Sequence, residues 1–252
     1  MEHAADPSHP RYRSLLMRHR LEVAAKKGML ADSAMIAHGR GEAYDYLLGE
    51  MTIPSADFAT QIALQALVQA EQPILSVNGN VVALAGDEML CLADKIGCPL
   101  EVNIFYRTPE RMEALLTDLS ERKERLNLDV DILGANPDAT IPGLKGPRAK
   151  CESKGILQAD VILVPLEDGD RCEALVAMGK TVIVVDLNPL SRSSRRGSIT
   201  IVDELSRCLE NMLTMETEAL PSLDSYDHNK TLQEALNAIV GGMKNKFSEA
   251  KE

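Results

Sequence analysis

The chain has 252 residues, of which 45 % are hydrophobic and 26 % charged, with a formal net charge of −11. That length suits one large domain or a domain with a helical lobe, and the apolar share is enough for a sizeable core. The acidic balance argues against general nucleic-acid or anionic-membrane binding, and aromatics at 3 % leave little stacking platform for single strands.

The N-terminal region is expected to be helical. Over residues 11–27, Leu15, Leu16, Val23 and Ala24 share one side and Gly28 supplies a stop. A second helix is expected over 31–48, interrupted by His38-Gly39-Arg40-Gly41-Glu42. Each glycine there costs about 1 kcal/mol relative to alanine, so a bend or a close backbone approach is expected. A third helix over 55–69 takes Ser55 as its start.

From residue 73 the pattern alternates. Apolar strands are expected at 73–77, 100–105, 128–133, 161–164, 182–185 and 199–202. Helices are expected between them, at 81–96 with Gly97 as the stop, from Thr108-Pro109-Glu110 onward, at 167–178 and at 204–215. Continuous apolar strands joined by helices imply an α/β, Rossmann-like, mostly parallel sheet with helices on both faces. The expected organisation is a helical region at 1–72 packed on the core, the core itself at 73–220, and a linker plus helix at 221–252. No apolar run approaches the roughly 20 residues of a bilayer span, and no signal-peptide stretch opens the chain. A cytoplasmic location is expected.

In such a fold the ligand sits beyond the carboxyl ends of the strands, near a topological switch point. Polar residues gather there. Asp186-Leu187-Asn188-Pro189-Leu190-Ser191-Arg192 follows a strand of Val and Ile, with Arg195 and Arg196 next to it. An acid at that place can accept from ribose hydroxyls, while Ser191 and Arg192 can donate to phosphate. A plain turn with a basic loop is the other reading. Glu167-Asp168-Gly169-Asp170-Arg171 reads either as a helix cap or as a site for magnesium or an amine. Asn78 and Asn80 flank Gly79 where a helix N-terminus could hold an anion, or form a simple strand-to-helix turn. His9-Pro10-Arg11-Tyr12-Arg13, Arg18 and His19 form a basic patch that matters only if it folds over the strand ends.

Several motifs are missing. The sequence contains no GxxxxGK[ST], no GxGxxG after the first strand and no GxSxG elbow. The five cysteines lack a CxxC pair and read as reduced thiols, and the dispersed histidines give no metal spacing. A nicotinamide-dependent dehydrogenase on the same fold lacks its glycine fingerprint here. A non-catalytic nucleotide-sensing protein stays open.

Taken together, seven blocks resemble the archaeal phosphopantothenate synthetase family (4-phosphopantoate–β-alanine ligase). They are SHPRYRSL at 8–15, AHGRGEAYDYLLGE at 37–50, SVNGNVVAL at 76–84, EVNIFYRTPER at 101–111, GANPDATIPGL at 134–144, ADVILVPLEDGDR at 159–171 and DLNPLSRS at 186–193. The resemblance implies ATP-dependent ligation of 4-phosphopantoate with β-alanine, giving AMP and pyrophosphate, by a homodimer that uses Mg2+. It implies that Arg18, Arg40, Asp186, Leu187, Asn188, Arg192 and Ser193 contact ATP, with Glu204 and Leu205 as a further nucleotide-contacting pair. Arg40 and Arg192 are then expected to neutralise transition-state charge, and Asp168 to place the amine or Mg2+. Asn78, Asn80, Asn103, Arg107 and Arg111 are expected to bind the second substrate, with salt bridging near Glu110 as the alternative for the arginines.

Overall fold

The computed structural model describes residues 6–249, and its architecture follows from six strands that are apolar on both faces. Three helices come first: α1 (Tyr12–Lys26), α2 (Ala34–Leu48) and α3 (Pro54–Gln69). Then follow β1 (Pro73–Val77), α4 (Gly79–Ile96), β2 (Leu100–Val102), α5 (Pro109–Leu126) and β3 (Ile132–Leu133). An excursion carries the short antiparallel pair β4 (Ala139–Thr140) and β5 (Lys150–Cys151). The second half runs through β6 (Val161–Pro165), α6 (Gly169–Ala177), β7 (Thr181–Val185), α7 (Arg192–Arg196), β8 (Ile199–Ile201), α8 (Leu205–Thr214) and α9 (His228–Glu249).

The main sheet has the order β3-β2-β1-β6-β7-β8, and every pairing within it is parallel. From β1 the chain steps outward through β2 to β3, then returns and steps the other way through β6, β7 and β8. The seam between β1 and β6 is therefore the switch point, where the flanking connections diverge and leave a crevice.

Alternate strand residues enter opposite cores, as a pleated strand requires. Leu75, Leu163, Ile183 and Val185 join the larger cluster with α3, α4 and α8. Ile74, Ile162, Val164, Val182 and Val184 join the smaller one under α6. Each such side chain contributes roughly 1.5–3 kcal/mol by leaving water. The larger cluster also takes Met17 and Leu21 from α1 and Leu232, Ala235 and Ile239 from α9, so these two helices pack against the sheet core. The Tyr226 hydroxyl accepts the Thr200 N–H at 3.0 Å and pins the approach to α9.

Local signals explain most helix ends. Thr108 caps α5, its hydroxyl accepting from Arg111 N at 3.3 Å, with Pro109 in the first turn. Gly97 closes α4 in the left-handed conformation, at φ 74. Four expectations need correction. Ser55 is not a cap: Pro54 starts α3, because its ring presets the helical φ and lacks only an N–H that would be unpaired there anyway. α2 runs unbroken through Gly39 and Gly41, and Gly41 instead packs near Leu187. The strand expected at 128–133 shrinks to Ile132 and Leu133, and α7 is a helix where a loop was expected.

Candidate active site

A cleft of about 790 Å³ opens at the carboxyl ends of the strands, between α1, α2 and the loops after β6 and β7. One asparagine ties the two strand ends at the switch point. Asn78, at the end of β1, accepts from Val81 N at 3.1 Å to cap α4 and donates to Leu166 O at 2.9 Å beyond β6. The two strands of the switch point are thus tied together at their tips. Leu166 itself is held at φ 52, a left-handed conformation that costs a non-glycine residue roughly 1–2 kcal/mol. Such strain concentrates at functional turns. It delivers Glu167 and Asp168 to the cleft wall.

Behind that wall lies a buried ion pair. The Arg171 guanidinium, fully enclosed, donates to Glu167 at 2.6 Å and to Ser76 Oγ at 3.0 Å. Arg148 closes on Glu167 from the other side, reaches Asp168 at 2.7 Å and lies over the Phe105 ring. Asp168 keeps a side chain 59 % exposed and remains the most available carboxylate of this wall.

The loop after β7 folds on its own side chains. Asp186 accepts from Asn188 N at 2.9 Å and from Ser191 Oγ at 2.5 Å, and Ser191 caps α7 through Ser194 N at 2.9 Å. Burial pushes the Asp186 carboxyl upward, against these hydrogen bonds and the facing charge of Arg40. Asn188 and Leu187 line the cleft beside it. The turn reading describes these bonds, and the same loop lines the cleft. The internal hydrogen bonds rigidify the loop and present Ser193 and Arg192 at its rim. Ser193 Oγ donates to Glu167 O, and Arg192 pairs with Glu173.

The basic N-terminal patch does fold over the strand ends. Arg11, Arg13 and Ser14 line the cleft, and Arg13 donates to Ser206 Oγ at 2.7 Å. Burial favours a protonated Glu204, yet its hydrogen bonds from Ser206 and from the N–H of Arg207, with the charge of Arg13, hold its pKa down. Glu204 thereby caps α8 while lining the cleft with Leu205. On α2, Arg40 forms no ion pair or hydrogen bond among the described residues and is exposed. Asp45 receives Arg207 at 2.6 Å, and burial raises its pKa despite that partner.

The cleft thus gathers Arg40, Asp168, Asp186, Leu187, Asn188 and Arg192, and with them Asn80, Ser193, Glu204 and Leu205. Arg18 stands just behind, held by Glu42 at 2.8 Å. Asn78, Asn103, Arg107 and Arg111 lie outside the lining. Asn103 donates to Lys150 O at 3.0 Å, Arg107 to Gly134 O and Arg111 to Tyr106 O at 2.6 Å, so each anchors a backbone carbonyl. Among the described residues Asn103 Oδ1 has no hydrogen-bond partner and stays enclosed. Sequence reasoning passed over His38, Glu42, Asp45 and Arg207 as cleft residues. The periodicity of α2 was the available signal, since 38, 41, 42 and 45 share one helical face.

Among the described residues no three His, Cys, Asp or Glu side chains converge as a metal cage. A magnesium ion carried by a polyphosphate needs only one or two protein carboxylates, because phosphate oxygens and water complete its shell. Asp168 has the exposure and position for that role.

Comparisons with known proteins give the family. The family model for phosphopantothenate/pantothenate synthetase matches residues 55–242. A Thermococcus kodakarensis protein named 4-phosphopantoate–β-alanine ligase is 47 % identical over 237 residues, covering 91 % of this chain and 89 % of its own length. Its Methanosarcina mazei counterpart of the same name is 45 % identical over 249 residues, 96 % of each chain. One from Methanospirillum hungatei, also so named, is 44 % identical over 211 residues, 84 % of each. A match of this extent leaves one assignment: the chain belongs to the phosphopantothenate/pantothenate synthetase family.

Proposed function

We propose that this chain is an ATP-dependent ligase that joins 4-phosphopantoate to β-alanine, forming 4′-phosphopantothenate on the route to coenzyme A. The observation that carries the reading is the cleft at the switch point, where Arg40 faces the Asp186–Asn188 wall and Arg192 lies on the same lining, in a chain related over nearly its whole length to ligases of that name.

The reaction has two steps. A phosphopantoate carboxylate oxygen attacks the α-phosphorus of ATP, and the bond to the β-phosphate oxygen breaks to release pyrophosphate. The neutral amine of β-alanine then attacks the acyl carbon, and AMP leaves with the electron pair of the C–O bond. The amine proton passes to water or to a cleft base. Both substrates are polyanions, so the first attack meets like-charge repulsion, which Arg40, Arg192 and Arg18 are placed to offset. Asp168 would hold a Mg2+ carried in with ATP, which would supply further neutralisation of the triphosphate. Asp186, Leu187 and Asn188 form the nucleoside wall, Ser193 and the Glu204–Leu205 pair flank it, and Asn80 closes the α4 side. Catalysis by this set is mainly positioning and charge compensation.

We further propose a homodimer formed through the outer face of α2 and α9, where Ile36, Leu47, Val240 and Met243 are exposed side chains on two helices packed together. Among the described residues no helix is long and apolar enough to cross a membrane. Incubation with ATP, phosphopantoate and β-alanine tests the reading. AMP production that requires both co-substrates supports it, and ADP production opposes it.

A further inference from the structure

Gly169 opens α6 on the cleft wall, one residue after Asp168, and its backbone gives no reason for glycine. It is not among the positive-φ glycines, and it lies in the first turn of a regular helix. Alanine at a helical position is better than glycine by about 1 kcal/mol. What excludes a side chain is a neighbour. A Cβ at Gly169 would meet the stem of Arg192, lying 2.5 Å from its Cβ and 2.8 Å from its Cδ, with Cγ between them. Carbon atoms pack at roughly 3.5–4.0 Å, so the overlap is large. A change of rotamer cannot relieve it, because the Cβ of Arg192 is fixed by its own backbone.

The rest of the α6 surface completes the seat. Glu173, one helical turn beyond Gly169, pairs with the Arg192 guanidinium and takes Arg196 Nε at 2.7 Å. Ser193 Oγ donates to Glu167 O, a second tie between the same two segments. Arg192 is therefore located by α6: its stem rests on a bare glycine and its head is held by an acid.

We infer that Gly169 is a positioning residue for the ATP site, the seat that sets how close the Arg192 guanidinium comes to the phosphates. This rests on the reading of Arg192 as a phosphate contact. A group displaced by about 1 Å from productive geometry can cost up to roughly 100-fold in rate, so one added methyl is a sufficient perturbation.

The test is a double-mutant cycle in the full chain, using Gly169→Ala, Arg192→Gly and the pair. Arg192→Gly is required because alanine would keep the clashing Cβ. Steady-state KM for ATP, KM for β-alanine and the melting temperature are read for each. Gly169→Ala is expected to raise KM for ATP or lower kcat by roughly 10- to 100-fold, with KM for β-alanine unchanged. In the Arg192→Gly background the same methyl is expected to change either by less than about twofold, because nothing remains for it to displace. If the methyl costs as much without the arginine, or costs nothing with it, the inference is wrong. Arg192→Gly with wild-type kinetics would overturn the phosphate-contact reading and the inference together. Should Gly169→Ala fail to fold, the pair decides: folding with the kinetics of Arg192→Gly supports the seat, and failure to fold contradicts it.

Discussion

Arg18 grips the Glu42 carboxylate through four N–H···O contacts of 2.8 to 3.2 Å, joining α1 to α2 beside the cleft. The same carboxylate takes the Ser14 hydroxyl and stands 3.4 Å from Arg11. Glu42 thus occupies cations that a triphosphate would otherwise engage, and its own charge faces the cleft. On the proposed reading ATP competes with it. Glu42→Gln is expected to lower the KM for ATP by about fivefold, the equivalent of roughly 1 kcal/mol for a partly exposed pair. Steady-state kinetics at varied ATP checks this, and a raised KM contradicts the competition.

Among the described residues Arg40 makes no hydrogen bond or ion pair and only a longer-range attraction to Asp186, so its replacement separates binding from folding. Arg40→Ala is expected to reduce kcat/KM for ATP by about 100-fold, or 2.7 kcal/mol of transition-state stabilisation. Its unfolding free energy should stay within about 0.5 kcal/mol of wild type, as for other exposed positions. Equal losses in stability and activity would place Arg40 in the scaffold instead.

His38 faces Glu42 on its own helix, Glu204 at the start of α8 and Arg18 on α1, and its Nε2 is enclosed without a hydrogen-bond partner among the described residues. Burial lowers its pKa from the usual 6.5, outweighing the two acids. The unfolded chain therefore binds a proton at this group more readily than the folded one. Its contribution to stability is present above the unfolded pKa and is lost as pH falls through the folded one. Urea denaturation from about pH 7.5 to about pH 5.5 should show a smaller loss of stability in His38→Gln than in wild type. Identical pH slopes would contradict the burial of a neutral imidazole.

The proposed subunit contact gives a prediction of mass. Leu47 and Ile36 are exposed apolar side chains on the outer side of α2, away from the cleft-lining His38, Gly41 and Glu42. Sedimentation equilibrium should report twice the 27.5 kDa chain mass for wild type and close to one chain for Ile36→Asp/Leu47→Glu. A double mutant that keeps the dimer mass places the interface elsewhere.

Much of this was legible in the sequence because its signals are local. The run from Pro73 to Val77 reads as a strand and is one, residue for residue, since a continuous apolar stretch between turn residues fits a strand covered on both faces. The alternation of strands and helices likewise implies the switch-point location of the cleft. What escaped depends on longer-range contacts. β4 and β5 have two residues each, too few to display a period, and the segment that follows β5 is held by a buried carboxylate from β2: Glu101 accepts from Glu152 N at 3.0 Å and from Ile156 N at 2.8 Å. The roles of Asn103, Arg107 and Arg111 as anchors for backbone carbonyls are equally invisible before folding. Asp186 shows the limit most clearly, since its residue type alone could not separate a loop-forming acid from a ligand-binding one, and the structure gives it the first set of bonds while leaving it on the cleft wall.

Pyrophosphate exchange decides the chemistry most directly. With ATP, Mg2+, 4-phosphopantoate and labelled pyrophosphate, and with β-alanine omitted, an adenylate-forming enzyme returns label to ATP because its first step reverses. The proposed mechanism predicts exchange that requires phosphopantoate and falls by about 100-fold in Arg40→Ala. Absence of exchange in wild type, with ADP and phosphate appearing once β-alanine is added, would contradict it.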